Sequence, residues 1–309
     1  MIVVFGSINL DLVARVARLP RAGETVTGDA LAVLPGGKGA NQALAARRAG
    51  AAVAMAGAAG SDVFAAMALA ELVAAGVDLD AVARVEGPTG VALIHVDAQG
   101  ENSITVIPGA NARADPTAIP DAALGSGTTL LLQLEVPIAA VTALATRARR
   151  HGARVVLNAA PAHALPPALL ASLHVLIVNE LEAAALGRTL GTATTPEGFA
   201  AAVHRRHRCA TIVTLGAAGA LGAADGNLLH TPAPRIGVVD TTGAGDAFTG
   251  ALAAALDRGV AWPRALAEGV AAGSLACLAA GAQPALPSAA AIDRLAATVE
   301  STVTSRALD

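Results

Sequence analysis

Residues Asp240 to Gly250 read DTTGAGDAFTG, an acid set among three glycines (Gly243, Gly245 and Gly250) and followed by an apolar run. Glycines at this density mark a turn that needs positive φ or the close approach of another group. The segment from Ala247, AFTGALAAALDRG, is rich in alanine and leucine and predicts a buried helix. Asp246 then falls at a helix N-terminus, beside main-chain N–H groups that lack a helical acceptor and attract an anion. Two chemistries fit this placement. Either Asp246 is the helix N-cap, the ordinary task of aspartate at such a point, or the glycine turn binds a phosphoryl group on which Asp246 acts.

A second glycine cluster, PGGKGANQA at Pro35–Ala43, carries Lys38. It is not a Walker loop, because no glycine stands five positions before Gly37 and no Ser or Thr follows Lys38. Nor is it a dinucleotide fingerprint, since Gln42 takes the place of the third glycine. A nicotinamide-dependent oxidoreductase therefore has no support, and Lys38 need not bind a phosphate.

The elements that must position these groups alternate. IVVFGSI (Ile2–Ile8), AAVAMAG (Ala51–Gly57), TLLLQL (Thr129–Leu134), ARVVLNA (Ala153–Ala159), VLIVN (Val175–Asn179) and ATIVTLG (Ala210–Gly216) predict strands. They are nearly continuous apolar runs, as strands covered on both faces are. Helices are expected over Gly39–Ala49, Val63–Ala75, Ile138–His151, Pro196–Arg208 and Ala244–Asp257. The alternation predicts an α/β fold with a doubly wound, mainly parallel sheet flanked by helices. Leu12–Pro35 and Thr89–Ile107 break the pattern with extended, half-polar stretches, and a Gln-Gly turn in the second gives a hairpin signal. We read them as a small β-sheet lid inserted in the core, which then comprises residues 1–11, 36–88 and 108–309.

Ligands of open α/β sheets sit beyond the carboxyl ends of the strands. Six such ends carry polar or glycine-rich segments here: Asn9 and Asp11, then Glu135, Asn158, Asn179 with Glu182, the TLGAAG loop Thr214–Gly219, and DTTGAGD. Any one of these groups alone is more often a cap than a ligand; together they point to a site.

Composition narrows the class. The 309 residues are 54% hydrophobic and 15% charged with a net charge of −3, which excludes disorder and gives nucleic-acid binding no support. Glycines, Pro284 and Pro287 interrupt the longest uncharged run, Gly269–Ile292, unlike a membrane helix. MIVVFGSINLD has no basic leader and reaches Asn9 and Asp11 too soon for a signal peptide. Cys209 and Cys277, far apart in the chain, form neither a disulfide framework nor a metal cluster. We expect a cytoplasmic protein with no membrane partner.

PGGKGANQALAARRAGAAVAMAGAAG and DTTGAGDAFTGAL resemble the two signatures of the ribokinase family of carbohydrate and nucleoside kinases, in the family's order and spacing. NLD near the start, GVALIHVDAQGENSITVIPGAN, LLQLEVP, NELEA and GAQPALP extend the likeness over nearly the whole chain. The resemblance implies ATP-dependent phosphorylation of D-ribose at O5. Asn9, Leu10, Asp11, Gly37, Lys38, Gly39, Ala40, Asn41 and Glu135 match the sugar shell, whose carboxylates and amides suit a polyol. Asp246 matches the general base, and the N–H groups of Gly243, Ala244 and Gly245 match the anion hole for the transferring phosphoryl group.

On the nucleotide side, Thr214, Leu215, Gly216, Ala217, Ala218 and Gly219 match the loop that runs past ATP, together with Asn179, Gly245 and Asp246. Asn179 and Glu182 match an NxxE motif acting on hydrated Mg²⁺, although Glu182 could be only an early-helix acid. Asp240, Thr242, Ala276, Ala279, Gly281 and Ala285 match a K⁺ site. The resemblance also implies a homodimer formed through the lid. The alternatives are a sibling kinase acting on deoxyribose, another sugar or a nucleoside, and a non-catalytic sugar- or nucleotide-binding regulator. Four positions depart from the pattern: Ala159, Val270, Ala285 and the stretch SDVFAAM.

Overall fold

The computed structural model describes residues 1–308. Along the chain the elements are β1 (Ile2–Phe5), β2 (Asn9–Val16), β3 (Gly28–Gly36), α1 (Lys38–Arg48), β4 (Val53–Ala59), α2 (Phe64–Ala74), β5 (Asp78–Arg84), β6 (Gly90–Val96), β7 (Asn102–Ile107), β8 (Thr129–Leu132), α3 (Ile138–His151) and β9 (Arg154–Asn158). They continue as α4 (Pro167–Ser172), β10 (Val175–Asn179), α5 (Glu180–Leu190), α6 (Pro196–His207), β11 (Ala210–Thr214), β12 (Ala220–Ala224), β13 (Asn227–Thr231), α7 (Ala244–Asp257), α8 (Trp262–Ala276), α9 (Ala289–Glu300) and β14 (Thr304–Ala307).

Ten strands form the large sheet in the order β14-β13-β12-β11-β10-β9-β8-β1-β4-β5. From β11 to β5 every neighbour is parallel, and β12, β13 and β14 add an antiparallel margin. Successive residues of β1 show why its strands read as unbroken apolar runs. Ile2 and Val4 join a core with α1, α7 and α8, whereas Val3 and Phe5 join a second core with α3, α5 and α6. Both faces are buried, so both sets of alternating side chains must be apolar.

Each strand and helix expected from the alternation is present. The elements that lacked a clear pattern are β5, β12–β14, α4, α5, α8 and α9. The β5 sequence DLDAVAR lies at the sheet margin and is half exposed, and the β12 sequence ALGAA has no β-branched residue to mark it. The first strand is shorter than the run Ile2–Ile8. It ends at Phe5, because Gly6 and Ser7 pass directly beneath the start of α1: a Cβ on Gly39 would lie 2.5 Å from Ser7 N and 2.6 Å from Gly6 C.

The two inserted segments make a separate four-stranded sheet, β3-β2-β6-β7. Its β2 and β6 are parallel and its outer pairs antiparallel, and β2 and β3 reach Asn9 and Gly36, beyond the expected limits 12 and 35. The bases of these strands therefore enter the site. No helix of the described residues is long and apolar enough to cross a membrane.

Candidate active site

Helix α7 starts at Ala244, with Gly243 as its N-cap in the left-handed region at φ 76°. That geometry removes the N-cap reading of Asp246. The acid is the third residue of the helix and caps nothing; its carboxylate turns to α1 instead, where Asn41 Nδ2 donates to Oδ2 at 3.0 Å and Gln42 Nε2 donates to Oδ1 at 2.8 Å. Asp246 is only 6% exposed.

The three glycines have three different jobs. Gly243 needs positive φ and packs against Ala282, whose Cα would lie 2.8 Å from an added Cβ. Gly245 has open space on its Cβ side and lines two cavities. Gly250 lies in mid-helix, where a Cβ would come within 2.5 Å of Ala45 Cβ and 2.7 Å of Gln42 O, so it sets the close contact of α7 with α1. That contact brings Asn41 and Gln42 onto Asp246. Main-chain N–H groups in the first turn of a helix lack intrahelical acceptors; here the Ala244 N–H bends back to Thr241 O at 3.2 Å.

The residues matched to the sugar shell gather beside Asp246. Glu135 Oε2 accepts from Ser7 Oγ at 2.6 Å and from the Lys38 N–H at 3.0 Å, which ties the end of β8 to the start of α1. Asn9 is buried, and its Oδ1 accepts from Asn111 Nδ2 at 2.7 Å. Burial, and then the negative charges of Glu135 and Asp246, push the Asp11 carboxyl up to about 7 against the opposing charge of Lys38. Lys38 is held above its ordinary range chiefly by Asp246, against the effect of burial, with Glu135, Glu182 and Asp11 adding to it. One lysine thus serves four carboxyl groups. Leu10 and Ala40 are fully buried in the hydrophobic core, and the Ala40 N–H donates to Ser7 O at 2.9 Å.

Asp246 also lines a cavity of about 250 Å³, together with Lys38, Asn158, Asn179, Glu182, Gly243 and Gly245 among others. This cavity shares Thr214, Thr241 and Gly245 with a larger cavity of about 590 Å³. Gly216, Ala217 and Gly219 of the TLGAAG loop line the larger one, opposite Ile236, Val238, Phe248 and Val270. Leu215 turns away and packs on the second core. Asn179 and Glu182 form a reciprocal capping box at the start of α5, with 2.8 Å bonds in both directions. Burial raises the Glu182 carboxyl, against the Asn179 N–H and Lys38. Glu182 thus caps its helix and also lines the smaller cavity.

Asp240 organises the loop that follows α8. Its Oδ2 accepts from Gly281 N at 2.8 Å, and its Oδ1 accepts from Thr242 N at 2.9 Å and Thr242 Oγ1 at 2.7 Å. Burial works to raise this carboxyl, but these donors outweigh it and hold the group below its usual range. Ala276 and Ala285 are buried on the same segment.

Sequence reasoning did not single out Ser7, Gln42, Asn111, Gln133 or Gln283 as site groups. All five are buried polar residues in apolar surroundings, which is itself the signal: a buried amide needs a partner.

Residues 1–289 match the profile described as pfkB family carbohydrate kinase. The chain belongs to the pfkB carbohydrate kinase family. This pfkB-family chain is 38% identical over 272 residues to a ribokinase of Schizosaccharomyces pombe, covering 84% of this chain and 86% of the relative. A deoxyribokinase of Salmonella typhi is 36% identical over 257 residues, covering 82% of this chain and 84% of the relative. Among solved structures, a ribokinase of Arabidopsis thaliana complexed with ribose and ATP superposes with a TM-score of 0.85 at 33% identity, covering 96% of this chain and 98% of that one.

Proposed function

We propose that this chain transfers the γ-phosphoryl group of ATP to O5 of D-ribose, giving D-ribose 5-phosphate and ADP. The observation that carries the reading is the placement of Asp246, a buried acid gripped by two amides between the hydroxyl-binding cluster and the glycine-lined cavities. Asp246 takes the proton of the 5-hydroxyl as O5 attacks the γ-phosphorus; the bond from phosphorus to the β–γ bridging oxygen breaks and ADP leaves. The N–H groups of Gly243, Ala244 and Gly245, at the positive end of α7, stabilise the charge on the transferring group. Ala244 exchanges its bond to Thr241 for one to the phosphoryl oxygen.

Asn9, Asp11, Asn41 and Glu135, with the main chain around Leu10, Gly37, Lys38, Gly39 and Ala40, read the sugar hydroxyls. The Thr214–Gly219 loop carries the nucleotide, and its base enters the apolar part of the larger cavity. Glu182 keeps an oxygen beyond its capping bond, facing a cavity shared with Asn179, and this fits a magnesium ion held through water. The ionised Asp240 and the oxygen-rich main chain of the Ala276–Ala285 loop, with Thr242, Ala279 and Gly281, fit a potassium ion. Magnesium would supply neutralisation of phosphate charge, and potassium would supply order to the loop packed on Gly243.

The small sheet closes over the sugar as a lid and pairs with a second copy. Supporting this, Leu31, Val33, Leu93, Ile104 and Val106 expose apolar side chains on it, and β7 is exposed along its whole length. We place the enzyme in the cytoplasm, in keeping with two free, buried cysteines.

An ADP-release assay over ribose, deoxyribose, fructose and adenosine tests the assignment, with ribose expected to give the highest kcat/KM. Faster turnover of fructose or adenosine overturns it. Deoxyribose is the second reading, favoured by the likeness to the Salmonella typhi deoxyribokinase, and the same assay separates the two pentoses.

A further inference from the structure

Two arms of amides converge on Asp246. In one, Gln283 Nε2 donates to Asn41 Oδ1 at 3.1 Å and Asn41 Nδ2 donates to Asp246 Oδ2 at 3.0 Å. In the other, Gln133 Nε2 donates to Gln42 Oε1 at 2.7 Å, and Gln42 Nε2 donates to Asp246 Oδ1 at 2.8 Å and to Asn158 Oδ1 at 2.9 Å. Gln42, Gln133 and Gln283 are each 0% exposed. They come from separate elements: α1 gives Asn41 and Gln42, the ends of β8 and β9 give Gln133 and Asn158, and the loop before α9 gives Gln283.

The acid dictates the direction of every bond. An ionised carboxylate only accepts, so each amide beside it must turn its NH₂ inward and its carbonyl outward. The outward carbonyl then demands a donor from the next amide. Both arms therefore run out on a carbonyl, and Gln133 Oε1 and Gln283 Oε1 are the two buried amide oxygens left without a hydrogen-bond partner among the described residues. A pair of buried, unpartnered oxygens is a costly arrangement for packing alone. It follows from a chain in which Asn41, Gln42, Gln133 and Gln283 all turn their NH₂ groups toward one carboxylate, with Asn158 accepting a side branch from Gln42, and aligned dipoles of this kind reinforce one another.

We propose that Gln42, oriented by Gln133 and Asn158, and Gln283, acting through Asn41, are positioning residues that aim the Asp246 carboxylate at the hydroxyl it deprotonates. The inference rests on reading Asp246 as the base. A carboxylate on a short side chain swings about two torsions, and a general base works only within hydrogen-bond reach of its proton. Binding both oxygens from different sides removes that freedom, and of the groups that do so only Asn41 is also placed in the sugar shell. Gln283 also lies two residues from Gly281, whose N–H holds Asp240, so order in that loop reaches the base through two side chains, Gln283 and Asn41.

The test measures kcat and the KM values for ribose and ATP in Gln42→Met, Gln133→Met and Gln283→Met, each alone and combined with Asp246→Asn. Gln42→Met is expected to lower kcat about tenfold and the other two several-fold, with both KM values within about twofold. On the Asp246→Asn background each of these losses disappears, because the residues act through the acid. Equal losses in both backgrounds, or losses that fall on KM, overturn the proposal. Gln133 and Gln283 do not touch Asp246, so they decide the matter if Gln42→Met melts below the assay temperature. A wild-type enzyme that prefers another sugar defeats the ribose assignment alone, and the same variants then report on the clamp with that sugar.

Discussion

The carboxylate of Asp11 occupies the space that a side chain on Gly36 would fill: a Cβ built there overlaps both carboxylate oxygens and the carbon between them. Asp11 on β2 faces Leu34 across the β2–β3 ladder, and Gly36 lies two residues on, opposite Asn9. The lid strand thus leaves out a side chain at the point where the acid must turn toward the site.

Gly36→Ala is therefore expected to displace the Asp11 carboxylate rather than unfold the sheet, since the clashing atoms are the far end of a side chain. Steady-state kinetics should show ribose KM raised about tenfold, the loss of one charged hydrogen bond, with ATP KM unchanged. An unaltered ribose KM would remove Asp11 from the sugar shell.

Asp246→Asn keeps the size of the side chain, although its NH₂ must displace the hydrogen bond from either Asn41 or Gln42, and it cannot accept the hydroxyl proton. Turnover should fall at least roughly 10²-fold, the scale of a general base, while calorimetry still registers ribose and ATP binding. Near-normal kcat in this variant would sink the mechanism.

The crowded carboxyl groups predict a pH-dependent stability. Burial, followed by Glu135 and Asp246, raises Asp11 from its ordinary value of 3.8 to about 7 in the folded state. The native protein then binds more protons than the unfolded chain between these values, so this contribution is fully present below pH 4 and is lost as pH rises through 7. Asp11→Asn should raise the melting temperature at pH 8 by at least roughly 2 °C, and the gain should vanish toward pH 4. Thermal melts of the ligand-free protein across that range decide it.

His174 gives the opposite sign at the far edge of the sheet. Burial, then the charges of Arg149 and Arg154, lower it from 6.5 to about 4, and its Nδ1 accepts from the Val155 N–H at 2.9 Å. Here the unfolded chain binds the extra proton, so the contribution is present above pH 6.5 and is lost as pH falls toward 4. His174→Gln should flatten the decline in stability between pH 6.5 and 4 measured by urea titration. A decline of unchanged slope would show that other groups carry it.

Much of this protein was legible in the order of its residues. The apolar runs IVVF, LLL and VLIV needed only local physics to predict buried parallel strands, because both of their faces must be covered. The glycines around Asp246 and the acid Glu135 at a strand end marked the edge where chemistry would gather. Short-range pattern could not assign the three glycines their separate jobs. Gly250 looked like part of the turn, and its reason is the backbone of α1 pressed against it, some two hundred residues away in sequence. Nor could the pattern decide whether Asp246 caps its helix. That depended on Asn41 and Gln42 arriving from α1 and drawing the carboxylate away from its own backbone. Gln42, Gln133, Asn111 and Gln283 stayed silent in the sequence for the same reason. An amide inside an apolar segment has meaning only through the partner that satisfies it, and the tertiary fold supplies each partner from a distant strand, helix or loop.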